Sequence, residues 1–229
     1  MPDHLIFTLT ANLGAMGELA GHERRGSLGF PGRSAIIGLL GAALGIRRQG
    51  DFSALDALSI AVAIFDEGEI LRDYHTIETV PTAQAKRPQS RPEALRLAKG
   101  KTNTTITLRD YRCGPLYGVA LWNGELSVLK AALERPHFTL YLGRKSCPLS
   151  APTWPRIVEA DGPAEALNQL VLPPWHKGKV ASLLAADEGV LVGNRIEQRN
   201  DIPIDRAHWH FAPRNVMLAN VHIAPEATP

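Results

Sequence analysis

The order of apolar runs constrains this chain more than any other feature. Residues 5–9 read as a first strand, apolar and rich in β-formers. Residues 11–28 are glycine-rich and irregular. Residues 33–44 read as a helix: Pro31 precedes it and Gly45 is placed to stop it. Ile36, Ile37, Leu39, Leu40, Ala43 and Leu44 give that helix a wide apolar face. Gly38 and Gly41 are expected to let it lie close on a sheet. Ser53 and Asp56 suggest a capping box for a short helix. Residues 60–65, 70–80, 104–109 and 116–122 read as strands. Leu126, Leu129 and Leu133 mark an amphipathic helix ending near Pro136. A strand-like run at 138–142 closes the series. Strand, helix, strand, strand, helix, strand is the split βαβ, ferredoxin-like order. The expected fold class is therefore α+β.

Beyond residue 150 the pattern is less regular. A short helix is expected over 164–170 and strands over 190–195 and 215–223. The expectation is a ferredoxin-like domain over 1–150 and a small, mostly-β appendage over 151–229. At 229 residues the chain can bury a sizeable core. Two cysteines, Cys113 and Cys147, sit at no metal-like spacing, which points to a reduced, cytoplasmic setting. The N-terminal residues lack the basic-then-apolar pattern of a signal peptide, and the longest apolar stretch, 35–46, is too short to span a membrane.

Charge is unevenly placed. Residues 81–103 hold Lys86, Arg87, Arg91, Arg96, Lys99 and Lys101 against Glu93, a net of +5. The whole chain carries +2, so the remainder carries −3. A basic segment on a mildly acidic body marks a polyanion contact, with a solvated mobile loop as the alternative. Pro88, Pro92 and Gly100 argue that this insert does not pack as core. The flanking strands would lift it from the body as a hairpin. Leu71-Arg72-Asp73-Tyr74 recurs as Leu108-Arg109-Asp110-Tyr111, and the two copies would stand at the hairpin's base.

Two further segments suit a phosphate backbone. Tyr141-Leu142-Gly143-Arg144-Lys145-Ser146-Cys147-Pro148-Leu149 places two cations and a hydroxyl just after a glycine, where backbone can approach a ligand. Phe30-Pro31-Gly32-Arg33-Ser34 sets an arginine at a helix start, beside free N–H groups. Tyr74, His75 and Tyr111 are candidates to stack RNA bases, weighed against ordinary strand packing. His208, His210, His222 and His176 complete no recognisable metal site, and no cofactor motif is legible.

These motifs resemble, in order and spacing, the CasD family of the type I-E CRISPR Cascade complex, within the RAMP superfamily. Residues 30–41, 71–76 and 141–149 carry the resemblance, which covers most of 4–150 and is looser from Arg199 to Arg214. It implies an RRM-like, ferredoxin-like domain that grips the 5′ handle of CRISPR RNA at one end of the complex, in antiviral defence. It implies a long β-hairpin thumb at about 73–110, reaching toward the backbone subunit. The large subunit and target DNA near the PAM-proximal end are the other implied partners; no membrane is implied. The implied RNA-binding residues are Arg33, Ser34, Tyr74, His75, Arg109, Tyr111, Gly143, Arg144, Lys145 and Ser146. Arg87, Arg91, Arg96 and Lys99 are the thumb cations. The loop Asn12-Leu13-Gly14-Ala15-Met16-Gly17 departs from relatives that often carry tryptophan there. No catalytic residue is expected. The alternative is a metal-independent endoribonuclease that processes precursor CRISPR RNA, with Tyr74, His75, His137 and Lys145 as its possible groups. A protein–protein scaffold is a third class.

Overall fold

A computed structural model describes residues 1–18, 23–191, 195–206, 208 and 210–225. In chain order the elements are β1 (Asp3–Thr10), β2 (Leu13–Gly14), β3 (Arg24–Arg25), α1 (Arg33–Leu44), α2 (Ser53–Asp56), β4 (Ser59–Asp66) and β5 (Glu69–Thr79). There follow α3 (Arg91–Ala98), β6 (Asn103–Cys113), β7 (Leu116–Trp122), α4 (Leu126–Glu134), β8 (Arg156–Glu159) and α5 (Pro163–Leu167). The chain ends with β9 (Ala181–Asp187), β10 (Arg195–Asp205) and β11 (His210–Ile223).

The strands β4, β7, β1 and β8 lie side by side, each antiparallel to its neighbour. With α1 after β1 and α4 after β7, this is the ferredoxin-like arrangement. Alternation along the strands explains how it holds. Leu5, Phe7 and Leu9 face one side with Ile60, Val62, Tyr117, Val119 and Leu121; there they meet Ile36, Ile37 and Leu40 of α1 and Leu129 and Leu133 of α4. Each such side chain, fully buried, contributes about 1.5–3 kcal/mol. The other face is lined by small residues: Ala61, Ala63 and Ala120, joined by Ile6. There α5 settles close, with Leu167 fully buried.

Three expectations change here. The closing strand is not 138–142, which runs as a loop packing Leu140 and Leu142 on the α1–α4 side. A turn at Gly143 folds that run back on itself, leaving a single bridge between Tyr141 and Pro148, and β8 takes the edge beside β1 instead. Of the two helix glycines, Gly41 does permit close packing, since a Cβ there would sit 2.5 Å from the Phe52 ring. Gly38 faces open space. Helix α1 has the expected bounds, and Gly45 ends it in the left-handed region with φ 78°. Helix α2 also forms, though Asp51, not a capping box, accepts the Ser53 N–H at 2.8 Å.

The segment after residue 150 is mostly β, yet its strands continue the same sheet. Strand β9 pairs with β4, β11 with β9, and β10 with β11, giving a seven-stranded sheet in the order β10-β11-β9-β4-β7-β1-β8. The ferredoxin-like core thus takes its last strand from beyond residue 150, and that expected boundary falls inside a shared sheet. Strand β9 was not foreseen. Val190 and Leu191 follow it in a turn and Arg195 opens β10, while 192–194 lie outside the described residues.

Charge holds these C-terminal strands to α1. Arg33 Nη1 donates to Asp187 Oδ2 at 2.8 Å, and Arg214 Nη1 donates to Asp187 Oδ1 at 2.8 Å. Arg214 Nε donates to Asp201 Oδ1 at 2.6 Å. The other Asp201 oxygen accepts the first N–H of α1, from Arg33, at 2.7 Å. Asp201 therefore caps the helix and meets the positive end of its dipole. Replacing Arg214 with alanine would leave two carboxylates in this half-dry setting without their main partner. Arg214→Ala is expected to cost about 3 kcal/mol of stability, measured by urea unfolding. A midpoint equal to that of the parent chain would show the network to be dispensable.

Candidate nucleic-acid interface

Strands β5 and β6 leave the body as a long antiparallel hairpin, paired from Glu69↔Cys113 to Thr79↔Asn103. Short strands β2 and β3 flank the base of β6 on its other edge. The repeated Leu-Arg-Asp-Tyr motif meets itself head to tail. Leu71 stands opposite Tyr111, Arg72 opposite Asp110, Asp73 opposite Arg109 and Tyr74 opposite Leu108. Antiparallel pairing turns a direct sequence repeat into a near-symmetric cross-strand pattern.

That register sorts the candidate residues onto two faces, because side chains alternate along a strand. His75, Arg109 and Tyr111 share one face; Arg72, Tyr74 and Asp110 share the other. Arg25 is the register partner of Arg109. On the first face the loop after Leu142 closes in. Gly143 has φ 89°, and a Cβ there would lie 1.8 Å from the Ala15 carbonyl oxygen. Only glycine allows this approach. Ala15 N–H donates to Leu142 O, and Cys147 N–H closes the turn onto Arg144 O at 2.8 Å. The turn lays the Arg144 guanidinium 4.7 Å from the centre of the Tyr111 ring. Arg144 Nη2 also reaches Arg25 O at 3.5 Å. Lys145 and Ser146 stand exposed beside it.

Two donors on this face stay unused. Arg109 Nε and Arg144 Nη1 are buried and have no hydrogen-bond partner among the described residues. A buried donor without an acceptor is costly, so each suits an anionic oxygen from outside the chain.

The opposite face carries a tighter charge cluster. Asp110 is almost fully buried and accepts from Arg72 Nε at 2.8 Å and Arg24 Nη2 at 2.8 Å. Arg72, then Arg24, hold its carboxyl down to about 2 against the opposing effect of burial. Beside it Tyr74 is 72 % exposed. The sequence reading missed Arg24, Arg25 and Arg72. A dibasic pair within a glycine-rich stretch, and the arginine of the first repeat copy, were the available signals.

Arg33 does not fit the role expected of it. Its guanidinium is spent on Asp187 and on the carbonyls of Asp56 and Leu58, both at 2.7 Å. Asp201 already occupies the anion position at the helix start. A carboxylate from a distant strand thus takes the place that a phosphate was expected to fill. Ser34 lies half-buried in the same turn.

The basic insert also departs from expectation. It folds as α3, with Ser90 capping Glu93 N–H, Glu93 accepting from Gln89 N–H, and Ala85, Ala94 and Ala98 buried. Ser90-x-x-Glu93 with Pro92 was a legible helix start that the charge count obscured. Arg87, Arg96 and Lys99 are exposed on this tip, and Arg91 donates to the Glu78 carbonyl. Among the described residues no group of three or more His, Cys, Asp or Glu side chains could hold a metal. His208 pairs with Asp205 at 2.7 Å, while His176 lies apart, against Thr10. No helix among the described residues is long and apolar enough to cross a membrane.

The site thus sits on an α+β protein: a ferredoxin-like core that projects a hairpin, with arginines gathered at the hairpin's base. The family model described as CRISPR-associated protein (Cas_Cas5) matches residues 4–217, and the chain belongs to that family. It is of the CasD type: the CRISPR system Cascade subunit CasD of Escherichia coli (strain K12) is 36 % identical over 185 residues, 73 % of this chain and 76 % of that protein. A chain of a CRISPR RNA-guided surveillance complex superposes with a TM-score of 0.72 at 23 % identity, over 96 % of this chain and 91 % of its own length. A solved Cas protein superposes with a TM-score of 0.67 at 26 % identity, over 99 % and 100 %.

The Asp110 cluster gives a pH test. Its folded carboxyl titrates below the unfolded value, so its stabilisation is present above about pH 4 and is lost as pH falls toward 2. The stability difference between the parent chain and Asp110→Asn should therefore shrink from pH 5 to pH 2 in urea unfolding. A constant difference would show that ionisation of Asp110 contributes nothing.

Proposed function

We propose that this chain is a non-catalytic RNA-binding subunit of a CRISPR Cascade surveillance complex. In this reading it grips the 5′ handle of the CRISPR RNA and caps one end of the assembly. The observation that carries it is the pair of unpartnered buried donors, Arg109 Nε and Arg144 Nη1, beside the Arg144–Tyr111 stack. Phosphate oxygens meet such donors, and a splayed base can stack on the exposed edge of such an aromatic. Gly143, Lys145, Ser146 and His75 belong to the same face in this reading. The exposed cations of the hairpin tip, Arg87, Arg96 and Lys99, would follow the RNA toward the neighbouring backbone subunit, with Arg91 bracing the tip. The large subunit and target DNA near the PAM-proximal end complete the proposed surroundings.

The placement of the possible acid–base groups supports a binding role over strand cleavage. Tyr74 and His75 face opposite sides of the hairpin. His137 packs near the end of α1, with its N–H on Ala43 O and its ring against Phe138. General acid–base cleavage needs its groups to converge on one phosphodiester, and in this reading only His75 and Lys145 of the four share a face.

Arg144→Ala/Lys145→Ala should weaken binding of a repeat-derived RNA and flatten its salt dependence. Two lost contacts to a single strand reduce the log–log slope by about 1.4. An unchanged slope would remove the Gly143 loop from the interface. Replacing Arg87, Arg96 and Lys99 together with alanine should spare folding and weaken co-assembly with CRISPR RNA and the backbone subunit. Full assembly by size-exclusion chromatography would reject a role for the tip. The parent protein, incubated alone with repeat RNA, should leave it intact on a denaturing gel.

A further inference from the structure

The segment Pro173-Pro174-Trp175-His176-Lys177-Gly178-Lys179 lies outside the interface described above and has a build of its own. A 3₁₀ turn spans Pro174–His176 and is closed by His176 N–H on Pro173 O at 2.8 Å. Two prolines fix the backbone on its way in. Behind the turn, His176 Nε2 lies 3.3 Å from Thr10 Oγ1. Upstream, Thr8 Oγ1 donates to Val171 O at 3.0 Å. Downstream, Lys179 Nζ meets Asp66 Oδ2 at 2.7 Å. The segment is therefore pinned at three points to the ends of β1 and β4.

This firm backing displays a tryptophan to solvent. Trp175 is 62 % exposed. An indole is the largest apolar side chain, and leaving it in water forgoes a burial that the fold makes elsewhere. A flexible loop could fold such a ring away; this turn holds it out. Lys177 is exposed two residues on, and Lys179 remains half-exposed despite its ion pair. A fixed aromatic platform with adjacent ammonium groups suits a base stacked on the ring with its phosphates on the cations. Burial pushes the His176 pKa down, so the imidazole adds no charge at neutral pH and serves as the anchor.

The position fits the same partner. Thr10 carries both sites: its hydroxyl holds His176, and its carbonyl accepts Ser150 N–H at 2.9 Å, just past the Gly143 loop. The two segments flank one end of the sheet, where the hairpin also begins. We infer that Trp175, with Lys177 and Lys179, is a second contact for a single-stranded polynucleotide, stacking one base beyond the strand held at the Gly143 loop. The inference takes the nature of its ligand from the proposed function but stands on different residues.

The test uses the full chain and fluorescein-labelled 12-nucleotide single strands of RNA and of DNA, with a blunt RNA duplex as control. Trp175→Ala should raise the Kd for a single strand roughly tenfold, Trp175→Phe only two- to threefold, and neither should weaken duplex binding comparably. Lys177→Ala should flatten the salt slope by about 0.7. Because Trp175 is exposed, the Trp175→Ala midpoint for thermal unfolding should stay within about 2 °C of the parent's. A stronger effect on RNA assigns the strand to the guide, and a stronger effect on DNA assigns it to target; both support the site. Unchanged single-strand affinity in Trp175→Ala, while Arg144→Ala weakens it, would overturn this inference and leave the main reading standing. The converse would keep this site and overturn the Gly143 loop assignment. Unchanged RNA affinity with loss of co-assembly with the backbone or large subunit would overturn the inference in favour of a protein contact.

Discussion

Two carboxylates, Asp187 and Asp201, tie this molecule together. They come from β9 and β10, and they take up the guanidiniums of Arg33 and Arg214 along with the first N–H of α1. Hydrophobic packing alone would hold α1 on the sheet, but it would not fix where the helix starts. The ion network does that, since charged hydrogen bonds are directional and expensive to break when half-buried. Through it the C-terminal strands lock the start of the helix that covers β1, β4 and β7. The end of the sheet that carries the hairpin is framed by those same three strands.

The hairpin base shows how one register creates two surfaces of different character. On one face Asp110 satisfies Arg24 and Arg72, so the charge there is largely internal. On the other face Arg109 and Arg144 keep donors unpaired next to an aromatic ring. Arg112 Nε, on the Asp110 face by register, is also without a partner among the described residues, but only the second face sets its open donors beside an aromatic ring. That difference separates a structural ion cluster from a surface suited to a ligand.

Much of the core was legible in the sequence because it rests on local patterns. The bounds of α1, the amphipathic stripe of α4 and the ferredoxin-like order follow from periodicity, proline and glycine. What escaped was set by distant partners. Arg33 reads as a free cation at a helix start until Asp187 and Asp201 arrive from more than 150 residues away. The run at 138–142 has strand-like composition, yet the edge beside β1 goes to β8. Strand β9, short and alanine-rich, has no strong strand signature, though its pairing with β4 joins the two halves of the sheet. At the interface, the Gly143 loop was visible as a motif, whereas Arg25 and the unpaired nitrogens needed the fold to bring them together.

One feature of the chain path governs how the arm can move. Strand β4 runs into β5 after only Glu67 and Gly68, and β6 runs into β7 after only Gly114 and Pro115. Strands β4 and β7 are neighbours at the centre of the sheet. The hairpin is thus the outward prolongation of a central strand pair, interrupted by one break in both strands at the same level. Gly68 and Gly114 both take positive φ there, at 72° and 67°. The arm behaves as a cantilever clamped into the middle of the body, with a single crease at its root. A push on the tip is carried along the β5–β6 ladder to that crease and through two short covalent links into β4 and β7, and the angle of the crease sets where the tip can reach.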